Sequence, residues 1–76
     1  GAYMEVQEKY LPLLEDRKLF IENRIAEYKK QVFGGVLECK MAEENGEKRT
    51  IVQTEDMMKQ IITNIDILTE QLDNLE

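Results

Sequence analysis

Histidine and tryptophan are absent from this chain of 76 residues, cysteine and proline occur once each, and aromatic residues make up 7% of it. Each shortage closes a class of function. Without histidine, Cys39 and the carboxylates are the only side chains left to ligate a metal, which excludes a structural zinc site. A single cysteine forms no internal disulfide. Nucleophilic or acid–base catalysis needs a reactive group, a partner at hydrogen-bonding distance and a concave site. Cys39 has no base beside it, and the neighbouring Glu38 disfavours its thiolate, so it reads as a small apolar residue. The expectation is a protein with no catalytic residue, no metal, no cofactor and no small-molecule substrate.

Positive charge is also scarce: 10 Lys and Arg stand against 16 Asp and Glu, a net charge of −6. Such a field repels phosphate backbones and anionic headgroups, so neither nucleic acid nor a membrane surface is an expected partner. No apolar run approaches the roughly 20 residues that cross a bilayer, and the first residues show no basic-then-apolar signal pattern. An intracellular, cytoplasmic protein is expected. Gly34-Gly35 lies in neither a G-x-x-x-x-G-K-[ST] nor a G-x-G-x-x-G string, so it makes no phosphate loop. The acidic clusters "AEEN" and "TED" lack the Asp-x-Asp-x-Asp-Gly spacing of a calcium loop.

What is present is helical periodicity. In the closing stretch "DMMKQIITNIDILTEQLDNLE", apolar residues fall at Met58, Ile61, Ile65, Leu68, Leu72 and Leu75, spaced 3, 4, 3, 4, 3. This is the seam of a helix that lies against another helix. With Met58 at heptad position a, the flanking e and g positions from Met57 onward are Met57, Ile62, Asn64, Thr69 and Gln71, uncharged until the terminal Glu76. Two-stranded coiled coils usually place Glu and Lys there, so their absence points to a wider buried face, as in a bundle. Ile67 falls off the seam.

Residues 3–33 carry a second helical stripe, Tyr10, Leu14, Ile21, Ile25, Tyr28 and Val32. Proline fits only the first turn of a helix, so Pro12 sets the start of helix 1 near residue 11, after an arm over residues 1–10 that carries Tyr3 and Val6. Lys29 and Lys30 followed by Gly34-Gly35 suggest a stop at about residue 33. Over residues 34–53, Asn45-Gly46 signals either the turn of a short β-hairpin or a polar loop. Thr54 can cap helix 2, with Glu55 and Asp56 in its first turn, although Thr50 with Gln53 offers an earlier capping box. Leu75-Glu76 carries no helix stop.

The fold expected is one small, mainly α domain over residues 1–76. It is an antiparallel helical hairpin with helices at about 11–33 and 54–75, completed into a bundle by self-association. Residues 3–33 hold six acids and six bases, residues 54–76 six acids and one base. An antiparallel hairpin would therefore bring Arg24 towards Asp66, and Arg17 towards Glu70 or Asp73.

The order of helix, "VFGGVLECKM" as a strand and "QIITNIDILTEQL" as a returning helix resembles the small β-type subunits of prefoldin, in which a β-hairpin links two antiparallel coiled-coil helices. The likeness covers about a third of the chain; the helices here are shorter, and Asn-Gly comes late. It implies a chaperone-type module that binds unfolded clients. An acidic adaptor taking basic peptides through Asp66, Glu70 and Asp73 is a further alternative. The leading expectation is an interaction or oligomerisation module, homo-oligomeric or bound to partner helices. Its seam comprises Met58, Ile61, Ile65, Leu68, Leu72 and Leu75 with Leu14, Ile21, Ile25 and Tyr28.

Overall fold

The computed structural model describes residues 4–75. Tyr3 of the arm and Glu76 of the closing helix lie outside the described residues. Two long helices dominate: α1 spans Leu14–Glu44 and α2 spans Lys48–Asn74, packed against each other as a hairpin 53 × 25 × 17 Å in extent.

A short 3-10 turn, Glu8–Tyr10, precedes α1. Leu11 closes the turn in an extended conformation (φ −99°, ψ 155°), as a residue before proline must, because the Pro12 ring crowds the helical region. The helix accordingly starts two residues beyond Pro12 and not at residue 11. Arg17 anchors this entry: its Nε donates to the Pro12 carbonyl at 2.8 Å and its guanidinium pairs with the Glu8 carboxylate. Arg17 is thus engaged by its own N-terminal segment and not by Glu70 or Asp73.

The largest correction concerns residues 34–53. Gly34 and Gly35 do not stop α1; they lie inside it, and the helix runs on to Glu44. Each interior glycine costs about 1 kcal/mol relative to alanine. Helix formers on both sides and a continuing packed stripe outweigh that cost. No strand occurs among the described residues, so neither the β-hairpin nor the strand "VFGGVLECKM" of the prefoldin comparison exists there.

Asn45-Gly46 does turn the chain, but as a helix cap. Gly46 takes a left-handed φ of 69°. Its N–H donates to the Glu43 carbonyl at 3.2 Å, and the Glu47 N–H donates to the Ala42 carbonyl at 2.8 Å. These two bonds form a Schellman motif, which satisfies carbonyls that the last helical turn leaves open. A positive φ suits a two-residue β-turn and a helix cap equally; the helical period on both sides selects the cap. With residues 36–44 used by α1, α2 begins at Lys48 instead of Thr54. Thr54 sits buried in the interface, where it caps nothing.

Candidate functional site

The feature that could act is the helix–helix seam with the two surfaces beside it. On α1 the least exposed positions from Ile21 onward are Ile21, Ile25, Tyr28, Val32, Gly35, Cys39 and Ala42, and on α2 Ile51, Thr54, Met58, Ile61, Ile65, Leu68, Leu72 and Leu75, with Asn64 at the edge. Both series alternate steps of 3 and 4, the signature of knobs-into-holes packing. The six residues singled out on α2 and Ile21, Ile25 and Tyr28 on α1 therefore lie on the facing stripes. Leu14 opens α1 and remains 45% exposed.

Grooves along the hairpin record the register. Arg17 and Ile21 share one with Gln71 and Leu75, Ile25 one with Leu72, Tyr28 one with Asn64 and Leu68, and Gly35 one with Thr54, Met57 and Ile61. Residue numbers rise on α1 as they fall on α2. The helices pack closely at Gly35, where an added Cβ would lie 2.7 Å from both Cγ and Sδ of Met58. Glycine at this position is a packing requirement. Gly34 faces open space instead.

Gly35, Cys39, Ala42, Ile51 and Thr54 extend the seam by three turns beyond the residues that periodicity singled out. Small and polar side chains carry no hydrophobic signal, yet the 3–4 spacing of Ile25, Tyr28 and Val32 runs straight through Gly35, Cys39 and Ala42. Spacing was the signal available; residue type obscured it.

Electrostatics are modest. Arg24 does not meet Asp66: its guanidinium donates to the Tyr28 hydroxyl at 3.2 Å and stacks 5.5 Å from the ring centroid. That stack covers the edge of the seam. The Cys39 thiol is pushed above its ordinary pKa, first by desolvation and then by the carboxylates of Glu55 and Glu38. Desolvation and nearby negative charge both oppose the thiolate, the nucleophilic form. Among the described residues no group of three or more His, Cys, Asp or Glu is arranged to hold a metal ion, and no helix is long and apolar enough to cross a membrane.

Little of the hairpin is buried: Gly35, Ala42, Thr54 and Ile61 alone among the described residues. Large apolar side chains stay exposed, including Phe20 at 64%, Phe33 at 63%, Val52 at 60% and Met41 at 56%. Comparison with known proteins adds nothing to this geometry: no family model, no curated protein and no solved structure matches the chain.

Proposed function

We propose that this protein is a non-enzymatic self-association module, a helical hairpin that completes its core against a further copy. The observation that carries the reading is the mismatch between what two helices bury and what they leave exposed. A pair of helices covers one stripe on each, whereas a bundle covers a wide face. Here the covered stripe yields four buried residues among those described, while Phe20, Met41, Met57 and Ile67 stand more than half exposed beside it. Large apolar side chains left exposed along one flank support an interaction surface there. Small domains, whose own core supplies about 3–5 kcal/mol, commonly add oligomerisation.

Light scattering on a size-exclusion column, over a range of loading concentrations and with circular dichroism on the same samples, tests the reading. The expected result is a helical dimer or tetramer whose mass falls on dilution. A helical monomer at every concentration refutes it.

A further inference from the structure

The hairpin has two flanks, and the charges of α2 distinguish them. With Ile51, Met58, Ile65 and Leu72 at heptad position a, its eight charged residues, Lys48, Arg49, Glu55, Asp56, Lys59, Asp66, Glu70 and Asp73, all fall at b, e or f. Positions c and g are Thr50, Gln53, Met57, Gln60, Asn64, Ile67, Gln71 and Asn74, without a charge along the whole helix. The same flank of α1 carries Arg17, Phe20, Arg24, Gln31, Gly34 and Glu38, as the grooves that pair Arg17 and Phe20 with Gln71, Arg24 with Asn64 and Ile67, and Gln31, Gly34 and Glu38 with Met57 establish, and the helical period adds Glu27 and Met41. The opposite flank has exposed apolar residues too, but Lys29, Lys40, Glu55, Lys59 and Asp66 are interleaved with them.

A symmetric dimer needs a surface that complements itself when turned about a two-fold axis. The flank whose α2 side is uncharged does so in the antiparallel sense. Turning α2 about its middle, near residue 62, sets Met57 on Ile67 of the second copy, Gln60 on its Asn64 and Gln53 on its Gln71. Turning α1 about Gln31 sets Arg24 on Glu38 of the second copy and brings Phe20 within one residue of its Met41. Both turns use one axis: Gly35 meets Met58, so in an antiparallel pair Gln31, four residues before Gly35, stands opposite Ile62, four residues after Met58. We propose that the occupant of this flank is a second copy of the chain, docked antiparallel about an axis through Gln31 and the middle of α2 to form a four-helix bundle. Apolar residues then meet apolar residues, amides meet amides, and the basic end of each α1 flank meets the acidic end of the other. A two-fold axis running along the helices instead sets α1 of each copy on α2 of the other, where Arg24 and Glu38 face the uncharged c and g positions and no ion pair forms between copies.

The inference rests on the self-association reading and deepens it, so its test must separate the two. In a Cys39→Ala background, Met57→Cys and Ile67→Cys chains are mixed in equal amounts and oxidised with glutathione disulfide. Antiparallel docking brings these two positions together across the axis. Two copies of Met57→Cys remain ten residues apart along the helices, roughly 15 Å. The mixed 57–67 disulfide is therefore expected well above either homodimer. Independently, Arg24→Glu or Glu38→Arg alone is expected to raise the dimer dissociation constant about tenfold, and the double reversal to restore it, since two symmetry-related pairs are inverted and then re-formed. A dimer whose mixed 57–67 disulfide does not exceed the homodimers, or whose affinity ignores both reversals, overturns the antiparallel docking and leaves self-association standing. A monomer at all concentrations overturns both.

Discussion

Two adjacent glycines give the sharpest test of the helix packing, because the same substitution should act in opposite directions one residue apart. Replacing an interior helical glycine by alanine removes about 1 kcal/mol of backbone disadvantage. At Gly34 the new Cβ meets nothing within 4 Å, so Gly34→Ala should stabilise the hairpin by about that amount. At Gly35 the new Cβ would lie 2.7 Å from Cγ and Sδ of Met58 and 3.6 Å from Cγ2 of Thr54. Those Met58 atoms belong to the middle of the side chain, so relief needs a new rotamer or a wider helix separation. Such overpacking costs about 1–3 kcal/mol, which cancels or outweighs the propensity gain. Urea unfolding followed by far-ultraviolet circular dichroism reads the difference. Repeating it at two protein concentrations separates the intrachain effect, which is independent of concentration, from any effect on association. The combination of Gly35→Ala with Met58→Ala should recover part of the loss, with a coupling of about 0.5–3 kcal/mol. If both single alanines stabilise equally, Gly35 makes no close approach to α2 and the pairing of Gly35 with Met58 is wrong.

Four further outcomes can be checked with the same equipment. Gly46→Ala forces alanine into a φ of 69° and should lower the unfolding free energy by about 1 kcal/mol in urea melts. The N-cap of α1 is Leu13, which makes no capping bond, so Leu13→Asp should raise stability by about 0.5–2 kcal/mol in the same measurement. Truncating the buried Ile61 to alanine should cost about 2 kcal/mol or more and reduce the helical signal at physiological temperature. The folded chain holds the Cys39 proton more tightly than the unfolded chain does. Its contribution to stability is therefore complete below the ordinary thiol pKa and lost as pH rises through the raised value. Iodoacetamide should alkylate Cys39 more slowly in the native chain than in urea, and the gap should narrow at high pH.

How much of this architecture was legible depends on what each residue type can signal. The seam of α2 showed plainly, because Met58, Ile61, Ile65, Leu68, Leu72 and Leu75 are large and apolar and no other residue type interrupts their spacing. In α1 the exposed Leu19, Phe20, Phe33 and Leu37 blur the pattern, leaving that helix far less amphipathic than α2. The misplaced helix end has a single cause. Gly34-Gly35 and Asn45-Gly46 both offered a stop, and taking the first released residues 36–44 to a strand they do not form. Glycine ends a helix when its backbone must turn left-handed, as Gly46 does; it interrupts nothing when, as at Gly35, the missing Cβ makes room for a neighbouring side chain.

The expected ion pairs failed for a related reason. Segment charge says which helices attract each other, but an arginine with a closer partner on its own segment is already engaged: Arg17 by Glu8 and the Pro12 carbonyl, Arg24 by the Tyr28 ring. Charge is more informative where it is missing. Exposed glutamates and lysines add solubility at little cost to a helix, so an exposed helical surface ordinarily collects them. The c and g positions of α2 collect none, although eight charges were distributed over the other faces of the same helix. Coulombic attraction between the two helices does not explain this, because the adjoining α1 flank carries Arg17 and Arg24, which would favour acids opposite them. The docking proposed above, which sets this face of α2 on the same face of a second copy, would explain it. The order of residues along the flank, with apolar and amide groups of α2 mirrored about its middle and Arg24 and Glu38 of α1 mirrored about Gln31, is the ground on which a second copy is proposed as the match.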